Sequence, residues 1–329
     1  VIKLNNQENI EDEHLTTINV PDDFATIQEA IDYSMDGDTI LVSAGIYFEN
    51  INSNGKSLSL IGENSSNTWI DGGNNASVIK MTGSGNYMNI SNFLIKSGRS
   101  NEGGGVYLES NNSFHIKNSW LAGNYSTDTG GAIFGRGSNV IIEKCVIQNN
   151  YAEVEGSAIK FMDPSSDILV VNSTITNNHS NGNNGGGQCS GAIVPSADAQ
   201  IRVENSILWD NYPLEICELD PINSVIYSNI KGGWEGEGNI DQNPLFSDSS
   251  NEDFTLQSTS PCIDTGDPNS ELDPDGTRAD MGAIPFDNRQ WGCIDSEACN
   301  YDSEVIYDDG SCMFIDCLGE CGGGAVDLD

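Results

Sequence analysis

Basic residues are scarce in this chain: 13 Lys and Arg stand against 50 Asp and Glu, a formal net charge of −37 over 329 residues. A surface of that sign repels phosphate backbones and anionic lipid headgroups, which argues against nucleic-acid binding and against attachment to acidic membranes. Long apolar runs are missing as well. No stretch reaches the roughly 20 apolar residues that a spanning helix needs, and Val1 opens no signal-peptide pattern, so the expectation is a soluble chain in processed form. Histidine is limited to His14, His115 and His179. The first and last fall in segments that read as tail and loop, and His115 lies in Phe-His-Ile, an outward strand position.

Cysteine is present but uneven. Cys145, Cys189, Cys217 and Cys262 are spread over most of the chain, while Cys293, Cys299, Cys312, Cys317 and Cys321 crowd its end. Crowded cysteines among Asp and Gly, with no His nearby, read as a small disulfide-stapled module from an oxidising, extracellular compartment. A zinc site using Cys317 and Cys321 is the alternative. Cys189 and Cys217 lie in the loops that lengthen two successive repeats, which predicts a disulfide between them. Cys145, at an inward position, is the candidate free thiol, acting as a small hydrophobe. Connectivity within the terminal cluster stays open.

The most informative pattern is a repeat of the form aliphatic, any, Asn, small, any, aliphatic, two any, then Asn or Gly. It begins at Ile90, Ile116, Ile142, Val170 and Val203 and closes at Gly98, Asn124, Asn150, Asn178 and Asn211. A small residue followed by an aliphatic one keeps pace at Gly105-Val106, Ala132-Ile133, Ala158-Ile159 and Ala192-Ile193. The alternation around these stations has period 2, which excludes a helical solenoid, and the Leu-rich repeat pattern is missing. Short strands separated by Asn and Gly bends close a core only by stacking coil on coil into parallel sheets. Asn92, Asn118, Asn172 and Asn205 then stand above one another, and an amide ladder is expected there, broken by Lys144. Thr26-Ile-Gln-Glu29 fits a capping box, with Phe24, Ile27, Ala30 and Ile31 on one helical face, so a short helix is expected to close the start of the stack. Thr39–Val42 would be the first coil strand.

The run Val20-Pro-Asp-Asp-Phe-Ala-Thr-Ile-Gln-Glu-Ala-Ile31, with Gly37-Asp-Thr-Ile-Leu-Val42 and Gly45-Ile-Tyr-Phe-Glu49, resembles the cap and first coil of the pectin-lyase-like β-helix superfamily. Asn239–Phe246, Ser260–Gly266 and Asp273–Ala283 look like the closing coils of large secreted bacterial β-helix proteins. Gly292–Tyr301 with Asp308–Cys312 is similar to Cys- and Asp-rich repeats near the carboxyl ends of such exported proteins. The resemblance implies a right-handed parallel β-helix and an extracellular, cell-surface address.

The superfamily's activities are tested residue by residue. Gly45-x-Tyr47-x-Glu49 matches an esterase framework motif, but no catalytic Asp pair with its Gln and Arg accompanies it. The polygalacturonase motifs Asn-Thr-Asp, Gly-His-Gly and Arg-Ile-Lys are absent. Arg99, Arg136 and Arg202 occupy different points of the coil, so no lyase base is gathered. A two-carboxylate glycosidase has too many acidic candidates to be singled out. For metal, Asp267, Asp273, Asp275 and Asp280 offer oxygen ligands around a Gly turn, the ingredients of a Ca²⁺ loop lacking the bidentate Glu.

The expectation that results is an all-β protein: an extension at 1–19, a parallel β-helix with its capping helix at 20–286, and a Cys/Asp-rich module at 287–329. Its expected role is structural or adhesive, as a unit of a surface assembly with protein partners. The alternative is a carbohydrate-active β-helix that binds or cleaves a polysaccharide. The partner surface follows from alternation: Leu94, Trp120, Val146, Thr174 and Ile207 should form an outward column, four of five apolar, flanked by Trp209, the alternative being that a loop or the segment 1–19 lies over it.

Overall fold

A computed structural model of the chain describes residues 16–109, 111–163, 165–182, 190–195, 199–217, 224–303, 305–316 and 318–323. The repeat produces what its period demands. Ile90, Ile116, Ile142, Val170 and Val203 pair in parallel register on the first face and are all buried. Among the described residues that face has nine strands, from Thr17–Val20 to Ser224–Ile226. A second face of eight strands runs from Gly45–Tyr47 to Asn229–Ile230 and buries Ile95, Leu121, Ile147, Ile175 and Leu208. The small-aliphatic stations form a third face, where Val106, Ile133, Ile159 and Ile193 lie in register. A fourth face of four strands carries an outward stack of Tyr125, Tyr151, His179 and Tyr212, with successive rings 5.1, 5.5 and 4.7 Å apart. The described residues thus form a parallel β-helix with one continuous aliphatic core.

The corner between the first two faces explains the recurring Asn. Asn92, Asn118, Lys144, Asn172 and Asn205 all have left-handed backbone, with φ of 66, 47, 52, 45 and 47°. Asn tolerates that region better than most residues, and one such residue suffices to turn the chain. No amide ladder forms among these side chains: Asn92 Nδ2 donates to Gly62 O, and Asn205 Nδ2 donates to Ser270 Oγ. The ladder sits instead at the closing Asn of the repeat. Asn124, Asn150 and Asn178 each donate both backbone N–H and Nδ2 to the Oδ1 of the next coil's Asn, at 2.9 to 3.0 Å. Gly98 N–H opens the series on Asn124, and Asn211 closes it by donating to both oxygens of Glu215. A second column runs through the small station after the corner, where Ser119, Ser173, Ser206 and Ser228 hydroxyls accept amides from the coil before. Cys145 occupies that station as a buried free thiol, its pKa pushed up to about 12 by burial.

The helix Ile27–Tyr33 is capped by Thr26, whose Oγ1 accepts from Glu29 N–H at 3.1 Å. Ile27, Ala30 and Ile31 are fully buried. The stack begins earlier than expected: Thr17–Val20 pairs with Thr39–Val42, so three residues assigned to the extension already belong to the first face. At the other end the chain returns along the second face. A hairpin of Phe246–Asp248 and Asp253–Leu256, followed by Ala283 and Ile284, packs over Val146. Gly282 N–H donates to Asn205 O at 2.8 Å and Ala283 N–H to Thr174 Oγ1 at 3.1 Å. Gly282 is required there: its φ is 111°, and a Cβ would fall 2.8 Å from Ile207 Cδ1.

The chain divides into two compact units, the first ending at Ser270 and including Arg278–Pro285, the second made of Glu271–Thr277 and the segment from Phe286. The second unit is stapled by Cys293–Cys312 and Cys299–Cys321. Cys217 is disulfide-bonded. Cys189 and Cys317 lie outside the described residues. Cys262, like Cys145, is a buried free thiol.

Candidate functional site

Period-2 alternation puts the residues between the buried positions of the second face on its outside. In register across the coils they are Ile46, Trp69, Leu94, Trp120, Val146, Thr174 and Ile207. The predicted column therefore exists, and it divides in two. Val146, Thr174 and Ile207 are at most 2% exposed, because the returning segment lies over them. Trp69, Leu94 and Trp120 stay partly open and floor a groove of about 590 Å³. Of the surface expected from sequence, Leu94 and Trp120 remain available. Val146 and Ile207 are buried by the chain itself, and Trp209 faces Lys231, whose Nζ is 5.8 Å from its ring. Trp69 was missed, because the recognisable repeat begins at Ile90. Carrying the outward column one coil back from Leu94 would have found it.

The groove is held by local bonds. Trp69 Nε1 donates to Ser66 O at 3.1 Å, which pins the indole. Lys96 Nζ lies 4.3 Å from the Trp69 ring centroid and 3.6 Å from Asp71 Oδ2, so its charge is shared between an aromatic face and a carboxylate. Trp120 leans on Phe254 of the returning hairpin, with centroids 6.0 Å apart and planes tilted by 44°. Asn149 Nδ2 reaches Glu252 Oε1 at 3.4 Å where the hairpin closes the groove. Ser65, Ser66, Ser97, Asn149 and Glu252 supply a polar rim to an apolar floor.

Other candidate residues have structural work. Both oxygens of Glu49, in the esterase-like motif, accept helix amides: Ile27 N–H and Gln28 N–H, each at 2.9 Å. Tyr47 hydroxyl donates to Ser43 O at 3.0 Å. The motif therefore ties the helix to the first coils. The four acidic residues expected to form a Ca²⁺ loop take separate roles. Asp267 Oδ1 accepts from Asn269, Asp275 Oδ1 from Thr277 and Asp280 Oδ1 from Asp264 N–H, while Asp273 and Thr277 close a backbone turn. Asp273 and Asp275 belong to the second unit, Asp267 and Asp280 to the first. Among the described residues no three His, Cys, Asp or Glu side chains are gathered as a metal would require. Two charged clusters escaped the sequence reading. On the first face, burial works against Glu143, but Lys117 at 2.6 Å and His115 at 3.1 Å prevail and hold its carboxyl below the usual range. At the ladder's end, burial pushes Glu215 up to about 7, against the opposing hydrogen bonds from Asn211.

No protein-family model and no curated protein matches the chain. Among solved structures it is similar to a pectin methylesterase in complex with a hexasaccharide, at 12% identity and a TM-score of 0.42, over 68% of this chain and 81% of that one. Pectin methylesterase PemA from Erwinia chrysanthemi overlaps 68% of this chain and 80% of its own, at 12% identity and a TM-score of 0.37. For the carrot pectin methylesterase the identity is 13%, the shares 68% and 85%, and the TM-score 0.31. Overlaps this partial, at this identity, say nothing about activity.

Proposed function

We propose that this chain is an extracellular β-helix that binds carbohydrate through the groove on its second face and does not cleave it. The observation that carries the reading is the open half of the outward column: two tryptophans flanking Leu94, surrounded by hydroxyl, amide and carboxylate groups. Sugar rings pair an apolar C–H face with an equatorial fringe of hydroxyls. An aromatic floor with a polar rim matches both, and such concave, mostly apolar sites with a few placed polar groups are the usual form of small-ligand pockets. Binding without cleavage is supported by the carboxylates present. Asp71 is engaged by Lys96 and Glu252 stands exposed on the hairpin, whereas a general acid is made by burying a carboxyl in apolar surroundings. Disulfides in the second unit support an oxidising compartment.

The test is affinity electrophoresis of the full chain through gels containing different soluble polysaccharides, beside Trp120→Ala. Retardation in at least one gel, lost in the variant, is the expected result. Equal mobility of both proteins in every gel would sink the reading. A second role in a surface assembly has its own support in the second unit, where Trp291, Ile306, Phe314 and Leu318 are 44, 73, 51 and 77% exposed. Apolar side chains so displayed are the material of protein contacts.

A further inference from the structure

Resting on the carbohydrate reading, we infer that the groove takes a neutral β-linked glycan laid along the stack, across the strands, with one sugar ring per coil. Two independent observations lead there. The first is spacing. Trp69, Leu94 and Trp120 are register partners on three successive coils, so they repeat at the strand spacing of ~4.8 Å. One sugar unit of an extended, equatorially linked chain has close to that length. Such a chain is a straight ribbon that offers its ring faces to a flat row of side chains. An α-linked chain curls and would leave the row after a unit or two.

The second observation is charge. Among the described residues Lys96 is the only basic side chain lining the groove, and it is already shared between Asp71 and the Trp69 ring. The rim adds Glu252, and the whole chain carries −37. An acidic polysaccharide entering here would meet repulsion with no unengaged cation to offset it. A neutral chain loses nothing by that field and gains the indole faces. The row is also bounded. Phe254 stands beside Trp120, and the next position, Val146, is buried beneath the hairpin. On the other side Ile46, the register partner of Trp69, is half-exposed but does not line the groove, so the footprint within the groove is three rings.

Calorimetric titration of the full chain tests this with cello-oligosaccharides of two to six units, maltotetraose and trigalacturonic acid. Affinity should climb steeply from dimer to trimer and gain little beyond the trimer, with maltotetraose and trigalacturonic acid weaker by about tenfold or more. Trp120→Ala and Trp69→Ala should each weaken cellotetraose about tenfold, the worth of one aromatic contact. Trp209→Ala, outside the groove, should leave it unchanged. Tighter binding of trigalacturonic acid or maltotetraose overturns the inference while leaving a carbohydrate site in place, as does affinity indifferent to chain length. Binding of none of these, combined with no retardation in any polysaccharide gel, removes the site altogether.

Discussion

The two halves of the second face were built from the same register and reached different ends. Trp69, Leu94 and Trp120 remain at the surface, while Val146, Thr174 and Ile207, in the same column, are sealed under the returning hairpin. The inward partners of both halves are aliphatic and fully buried, and the outward column is largely apolar in both, although the open half carries the tryptophans. What differs is the coverage. An apolar outward column is a demand for a cover, met in one half by the chain and left in the other to something outside it.

The strongest way to break that contrast is to remove the cover's anchor. Phe254 is buried against Val146, Trp120 and Phe246. Phe254→Ala should cost about 3–5 kcal/mol in denaturant-induced unfolding and extend the open groove onto Val146. A loss below about 1 kcal/mol would mean that the hairpin merely rests on the face.

Next in size is a pH effect where the covered half ends. Glu215 is raised to about 7, against about 4.5 for the unfolded chain, so the folded state holds its proton more tightly. The stability this contributes is fully present below about pH 4.5, falls as pH rises, and levels off above about pH 7. The total is about 3 kcal/mol. Glu215→Gln should flatten this part of the stability curve, at the cost of one of the two hydrogen bonds from Asn211. An unchanged slope would assign it to other groups, such as Asp210 and Lys231, whose charges act on Glu215.

Gly282→Ala should cost about 1–3 kcal/mol, because φ of 111° is strained for any side chain. Fluorescence-monitored melting reports it, and an unshifted midpoint would show that the return can follow another path. The smallest effect belongs to the open half. Trp120→Ser should change stability by about 1 kcal/mol or less, with the β-sheet circular dichroism intact. A large loss there would mean that Trp120 serves the cover more than the groove.

The coil register was legible in the sequence because period-2 alternation survives any variation in loop length: Leu94 and Trp120 were assigned outward correctly while the repeat stretched from Asn150 to Asn178 and Asn211. Which segment supplies the cover was not legible, because Phe246, Phe254 and Ala283 fall in a stretch without repeat, where no periodicity says which strand they meet. The two Asn columns were confused for a definable reason. Both recur once per coil, and only the sign of φ separates them. Lys144 held the clue: a left-handed corner accepts Lys, since it asks only for a backbone conformation, whereas a ladder rung needs an amide that donates and accepts at once. Asn124, Asn150, Asn178 and Asn211 are never replaced along their column. Trp69 escaped because the coils before Ile90 lack the Asn-small signature, so their column had to be extended by counting.

The amide ladder has a beginning and an end of different kinds. Gly98 starts it with a backbone N–H alone, and Glu215 stops it with a carboxylate. Every rung between is interchangeable, because each Asn gives to the next what it receives from the last. A gene duplication that inserts one more coil between those ends disturbs neither of them. The stack between Gly98 and Glu215 can therefore change its length in whole steps of about one strand spacing while every rung of the ladder stays satisfied.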